Sequence, residues 1–447
     1  MGLLVAMNLF RNHVRWLLIA WMFVISAVAY LDRVNISIAG SLIEREFGFD
    51  HVHLGWALSA FLLGYAAFQA PGGRLADRFG PRKILTLGTF WWAVFTSLTA
   101  AVSAKLGSAL IVLMAVRFLL GVGEAVVYPA GNRLVASWIP SQERGVANGF
   151  IFAGVGAGAG ITPPLITYVM VHYGWRWSFW ASALIGLTAG VIWLAIARDR
   201  PEEHPLMSPE EAAHIRLGLP VALSDRPLPW RKIFFSKDVA AVTLSYFCYG
   251  YVAYIFFSWF FIYLNAVRGL NLKSSSYYSM LPFLAMAGGS TVGGWLSDKM
   301  TRSFGKHAGR CGLACASMLL CTIFVASGAY AHDARVASII LAGGAGALYL
   351  SQSSFWSVTS EIGGSSAGSV SGVMNMGGQF GGMVTASLTP LIAKYFGWNT
   401  SFFVAAALCS VGALLWLLVD AGKAPLLENR ENWGTPDDYQ ISGAQND

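Results

Sequence analysis

Apolar stretches of about 20 residues or more recur twelve times along the sequence, and each is long enough to cross the roughly 30 Å hydrocarbon core of a bilayer as a helix. Their approximate ranges are 16–39, 52–73, 84–104, 107–131, 145–169, 175–197, 239–265, 275–297, 310–330, 334–358, 367–393 and 396–419. They divide six and six around one long polar interruption, 198–237, which holds Pro201, Pro205, Pro209, Pro220, Pro227 and Pro229. The fold class expected is an all-α membrane protein of two pseudo-symmetric six-helix bundles, 1–197 and 238–420. The interruption reads as a cytoplasmic linker with a short surface helix near Pro209–Leu217. The polar tail, 421–447, is expected to be disordered. Only 12% of the residues are charged, against about 25% in a soluble domain. Disorder, a coiled coil and ordinary soluble domains are thereby excluded as descriptions of the chain.

A formal charge of +7 invites a nucleic-acid partner, but the placement of the basic residues points to membrane orientation instead. With both termini inside, 21 of the 30 Lys and Arg residues fall in inner segments and seven outside, namely Arg45, Lys105, Arg176, Arg268, Lys273, Arg335 and Lys394. Basic loops resist translocation, so both ends are placed in the cytoplasm of a cell with the chain in its inner membrane. The first apolar run exceeds a signal-peptide core and stays as a span. Cys248, Cys311, Cys315, Cys321 and Cys409 all sit in apolar stretches with no histidine at metal-ligand spacing, and read as small core residues. No metal or cofactor is expected. The eight histidines fall in loops, termini or span edges, and no nucleophile has a base beside it, so no enzyme is expected either.

The two halves repeat. Gly73-Arg74-Leu75-Ala76-Asp77-Arg78 returns as Gly294-Trp295-Leu296-Ser297-Asp298-Lys299, an offset of 221, and Gly174-Trp175 returns as Gly397-Trp398, an offset of 223. Parallel repeats of this kind place a binding site between the halves near the midplane, where rocking can expose it to either side.

The loop from Gly73 to Lys83, with Phe79-Gly80-Pro81-Arg82-Lys83 completing it, resembles the signature loop of the major facilitator superfamily. Tyr30-Leu31-Asp32-Arg33-Val34-Asn35, the pair Arg117 and Glu124, Trp138-Ile139-Pro140-Ser141-Gln142-Glu143-Arg144 and Gly372-Val373-Met374-Asn375-Met376-Gly377-Gly378 resemble the anion:cation symporter family within it. The similarity runs from about residue 16 to 419 and is nearest to bacterial sugar-acid carriers. It implies uptake of an organic anion such as an aldonate, hexuronate or aldarate, coupled to protons. An exchanger or uniporter would share the arginines; a multidrug exporter or a transport-dead sensor fits less well.

Asp32, Arg33, Arg117 and Glu124 are the clearly ionisable residues well inside the spans. Each costs about 2.5–3.5 kcal/mol at the bilayer centre, so they must pair or line a cavity. Arg33 and Arg117 are the candidates for holding a carboxylate, because guanidinium stays charged and binds it through two parallel hydrogen bonds. Asp32 and Glu124 are the candidate proton sites; the alternative is a structural network fixing helix packing. Arg117 and Glu124 are seven residues, about 10 Å, apart on one helix and are not expected to neutralise each other. Tyr30, Asn35, Tyr65, Gln69, Ser354, Trp356 and Asn375 are candidates for substrate hydroxyls. For Tyr65, Trp356 and Asn375 the resemblance implies that role, and for all of them helix packing is the alternative. Where the galactonate carrier has a glutamine in its fifth span, this chain has Ala153-Gly154-Val155, which points to a less hydroxylated or more hydrophobic acid. Gly154, Gly156, Gly158 and Gly160 read as a packing surface, with Gly377, Gly378, Gly381 and Gly382 as its counterpart. Asp77, Arg78, Arg82 and Asp298 are the candidate inner-gate residues, although Arg82 could equally anchor at headgroups. The chain is expected to work as a monomer.

Overall fold

A computed structural model of the chain describes residues 13–49, 51–219, 228–260, 263–270 and 272–422. The tail from Lys423 and linker residues 220–227 lie outside the described residues. The first half comprises α1 (Val14–Phe47), α2 (His51–Phe79), α3 (Pro81–Ala101), α4 (Ala109–Glu124) continued by α5 (Val127–Trp138), α6 (Arg144–Tyr173) and α7 (Trp175–Ile196). After α8 (Pro209–Gly218) and α9 (Trp230–Phe234) comes the second half: α10 (Lys237–Ser258), α11 (Leu272–Lys306), α12 (Leu313–Tyr330), α13 (Ala334–Leu350) continued by α14 (Gln352–Gly363), α15 (Ala367–Phe396) and α16 (Trp398–Leu415).

Nine stretches of the described chain are long and apolar enough to cross a membrane. Two of them, Tyr277–Tyr330 and Ala334–Phe396, run to 54 and 63 residues, and each contains an outgoing and a returning helix. With α2, which lies outside the nine, twelve crossings result. The repeated Gly-Trp pairs are turns: Gly174 and Gly397 have φ of 88° and 86°, a left-handed conformation that glycine adopts without strain, and each starts the last long helix of its half.

Glycine sets how closely the helices approach. Within the first half Gly154 and Gly158 of α6 meet the backbone of Phe23 and Ala27 on α1; 223 residues on, Gly377 and Gly381 of α15 meet Thr243 and Phe247 on α10. Between the halves α6 packs on α11 and α2 on α15. A Cβ on Gly145 or Gly149 would collide with Gly294 or its neighbours, and one on Gly73 with the Gly368 carbonyl. Such seams bury little side chain and allow backbones to touch.

The linker is tied to the first half. Glu211, 4% exposed on α8, accepts hydrogen bonds from the N–H groups of Val14 (2.8 Å) and Arg15 (3.1 Å), capping α1 from a distance in sequence. Arg15 also bridges Glu211 and Glu143 at 3.0 Å each. His204 stays close to the end of α7, its Nε2 2.9 Å from the Ile196 carbonyl and its Nδ1 accepting from Leu206 N. Burial lowers its pKa below the ordinary histidine range, so the neutral ring is favoured and acidification through that range weakens this corner. Glu211→Ala should remove the cap on α1 at a cost of about 1 kcal/mol, typical of a lost helix cap. A lower thermal unfolding midpoint in detergent checks this; an unchanged midpoint would show that the cap contributes nothing.

Candidate functional site

Asp32 and Arg33 come from α1, Arg117 and Glu124 from α4, and the helices bring all four into the interior of the first half. Asp32, Arg117 and Glu124 are 3%, 1% and 1% exposed. Helical rise separates Arg117 from Glu124, and Glu124 takes a different partner, since Arg33 Nη2 donates to Glu124 Oε1 at 2.5 Å. The Arg33 guanidinium also lies 4.5 Å from the ring centroid of Tyr65, 4.7 Å from Tyr30 and 5.3 Å from Phe61. Arg117 approaches the same Phe61 ring at 4.9 Å, and its Nε and Nη1 have no hydrogen-bond partner. Asp32 Oδ2 accepts from Thr96 at 3.3 Å, while Oδ1 is unpartnered. Two arginines thus flank one aromatic ring, one ion-paired and one with open donors.

Beside this cluster lies a narrow cavity of about 40 Å3 between the halves, with Tyr30 and Tyr65 forming the wall it shares with Arg33. The second half contributes Tyr246, Tyr249 and Tyr254 from α10, Tyr349 from α13, Gln352 from α14, and Asn375 and Gln379 from α15. Asn375 Nδ2 donates across the interface to Gln69 Oε1 at 2.9 Å. Trp356, 1% exposed, lies behind the wall with its ring 4.9 Å from Phe152 and 5.8 Å from Tyr128.

Of the candidates for binding, Tyr30, Tyr65 and Asn375 therefore line the cavity, while Gln69 and Trp356 stand one layer back. Two lie elsewhere. Asn35 is about 140° round α1 from Tyr30 and bonds Ser182 (3.2 Å) and Ser178 (2.8 Å) on α7. Ser354, on the side of α14 away from Trp356, faces Ser297 at 3.5 Å. Both satisfy helix contacts. Tyr128 and Tyr349 line the cavity without having been singled out from sequence, yet they are 221 residues apart, the repeat offset itself. The repeat was the signal that could have found them.

The face that carries the 73–83 loop is closed by two reciprocal latches. Asp77 accepts from Gly368 N (2.9 Å), Ser369 N (2.7 Å) and Ser369 Oγ (2.5 Å), at the N-terminus of α15 in the opposite half. Asp298 accepts from Gly145 N (2.8 Å) and Val146 N (2.6 Å), at the N-terminus of α6. The aspartates differ by 221 positions and the first donors by 223, so one contact is the pseudo-symmetric copy of the other. A carboxylate at a helix N-terminus satisfies open N–H groups and meets the positive end of the helix dipole. Arg310 adds bonds to Asp298 (2.7 Å), Glu361 (3.4 Å) and the Ser141 carbonyl (2.7 Å). Arg133 stands 3.8 Å from Asp77. Leu228 of the linker crosses the seam, its N–H on Ser366 Oγ (2.7 Å) and its carbonyl accepting from Arg74 (2.5 Å).

The arginines expected at this gate are not the ones that bridge it. Arg82 donates to the Leu194 carbonyl at 2.9 Å within its own half, and Arg78 lies exposed against Phe79. Arg78 sits on the exposed side of the last turn of α2 and Arg82 follows the turn at Gly80 back toward its own half, and Arg133 and Arg310 take their place.

Twelve membrane helices in two repeated halves, joined by glycine seams and latched at one face, form the architecture of a secondary transporter. The chain belongs to the Major Facilitator Superfamily, which residues 22–386 match. It is 33% identical to the probable sulfoacetate transporter SauU of Cupriavidus necator, over 92% of this chain and 95% of that one. It is 31% identical to the probable galactarate/D-glucarate transporter GudP of Bacillus subtilis, over 90% of each, and 27% identical to the D-galactonate transporter of Escherichia coli O6:H1, over 91% and 95%. These relatives are transporters, not enzymes. Among solved structures the fold matches the proton:xylose symporter XylE at a TM-score of 0.74 and 15% identity, covering 93% of this chain and 99% of that one. It matches FucP in the outward conformation at 0.63 and 17%, covering 91% and 99%.

Asp77→Asn weakens one latch by removing charge-assisted bonds worth about 1.5–3 kcal/mol. It should slow transport about tenfold or more while ligand affinity stays within about twofold. Rates in proteoliposomes set beside equilibrium binding test this, and an affinity loss at unchanged rate would contradict the gating role.

Proposed function

We propose that the chain imports a small organic anion together with protons, by alternating access, as a monomer in the inner membrane with both termini in the cytoplasm. The observation that carries this reading is the Arg33–Glu124 ion pair behind the Tyr30 and Tyr65 wall of the cavity, with Arg117 open beside it. A ligand carboxylate entering next to Tyr30 and Tyr65 competes with Glu124 for Arg33. Glu124, deprived of its counter-charge in a low-dielectric interior, then takes up a proton, because an unpaired carboxylate is strongly disfavoured there. Anion and proton are in this way bound together, and neither loads well alone. Arg117, with two open donors, supplies a second guanidinium to the same region, and Asp32, with one open oxygen, a second proton site at another depth.

With anion and proton aboard, the halves rock about their glycine seams, the Asp77 and Asp298 latches release, and the cavity opens to the basic face. The relatives, named for transport of sulfoacetate, galactarate/glucarate and galactonate, support an anionic substrate. Sugar acids are the class expected from the sequence.

In proteoliposomes with an inward proton gradient, Glu124→Gln should lose accumulation at least tenfold while retaining exchange of labelled for unlabelled anion. Arg33→Lys should lose both, by about 10- to 100-fold, since it gives up the bidentate geometry. Full gradient-driven accumulation by Glu124→Gln would remove Glu124 from coupling, and wild-type uptake indifferent to the gradient would leave an exchanger or uniporter.

A further inference from the structure

A second opening lies away from the central cavity, on the flank of the molecule where the two halves meet. It is a groove of about 640 Å3 walled by Trp16 and Ala20 of α1, Val146 and Phe150 of α6, and Val292 and Trp295 of α11. Thr291 also lines it but donates its hydroxyl to the Ala287 carbonyl at 3.0 Å, which leaves the wall almost wholly apolar. The groove borders the Asp298 latch, since the Val146 that lines it also donates its N–H to Asp298 at 2.6 Å. Val292 and Trp295 are 52% and 51% exposed. On a chain that crosses a membrane, an exposed apolar groove of this kind meets lipid tails.

Toward the latch face the same side of α11 changes character. Val292, Trp295, Lys299 and Arg302 follow at spacings of three and four, so they form one stripe along the helix. Lys299 Nζ lies 4.8 Å from the Trp295 ring centroid. Lys299 and Arg302 are both exposed, and neither has an ion-pair partner among the described residues. An apolar stripe that runs into unpaired cations is complementary to a lipid tail that ends in a negative headgroup.

The other half supplies a comparison. The 221-residue offset sets Arg74 where Trp295 stands, and there the linker is in contact: the Leu228 carbonyl accepts from Arg74, whose guanidinium lies 5.7 Å from the Trp230 ring. Among the described residues lining the groove of α1, α6 and α11, none comes from the linker. The covalent strand covers one seam, and the other is left to the membrane.

We propose that this groove binds an acyl chain of an anionic phospholipid, with the lipid phosphate held by Lys299 and Arg302.

Native mass spectrometry of the delipidated full-length protein tests this with dioleoyl phosphatidylglycerol against dioleoyl phosphatidylcholine. The anionic lipid should bind at least tenfold more tightly. Lys299→Gln combined with Arg302→Gln should abolish that preference. Thr291→Phe, which fills the groove from its exposed side, should weaken phosphatidylglycerol at least fivefold with both cations in place. Unfolding profiles like that of the wild type are the control for both variants. A wild-type preference below tenfold overturns the proposal without recourse to any variant. A full preference that survives the double substitution in folded protein overturns it as well. Displacement of the lipid by millimolar inorganic phosphate would make this a site for free anions and would likewise overturn the lipid assignment.

Discussion

A charge placed in hydrocarbon must be answered by another charge, and the contact between Arg33 and Glu124 is where this protein meets that requirement. Two helices of the first half are held in register by it, and the wall of the central cavity is built on its outer side by Tyr30 and Tyr65. Its partners are exchangeable in principle, because any other carboxylate that reaches Arg33 can replace Glu124. Arg117 has no such answer within hydrogen-bonding reach of its Nε and Nη1. The first half therefore contains both a satisfied pair and an unmet demand, whereas the second half presents the cavity with rings and amides. The division of labour between the halves is electrostatic on one side and steric on the other.

The halves are otherwise copies, and the copying extends to individual atoms of contact. The same aspartate in each repeat caps the same helix of the other repeat, and the same glycines on α6 and α15 seat those helices on their partners. Backbone-to-backbone seams are suited to motion as well as to packing, because few interdigitated side chains must be withdrawn when they slide.

Much of this was legible in the sequence. Span length and polarity gave the helices, the recurring loops gave the duplication, and the cost of burying ions singled out Asp32, Arg33, Arg117 and Glu124. Partnership among those four was not legible: sequence separation says which residues share a helix face, but which helix lies opposite is a matter of packing. For the same reason Asn35 was grouped with the cavity, although it satisfies α7, and Arg78 and Arg82 were grouped with the gate, although Arg133 and Arg310 occupy it. Arg133 lies far from the loop motif in sequence and reaches it only through the fold, and Arg310, twelve residues past Asp298, lies outside the repeated segment. Tyr128 and Tyr349 could have been found, since the offset that relates the loops relates them too.

The two latches are copies but not equals. Asp298 and Arg310 are 1% and 0% exposed and 2.7 Å apart, whereas Arg133, near Asp77, is 24% exposed at 3.8 Å. Solvent reaches the guanidinium of the second pair and not that of the first, although Asp77 itself is as buried as Asp298. If this face is the gate, its Asp77 side is the edge with the weaker guanidinium backing, and parting it separates α2 from α15 directly beneath the linker strand at Leu228, which is bonded to both halves.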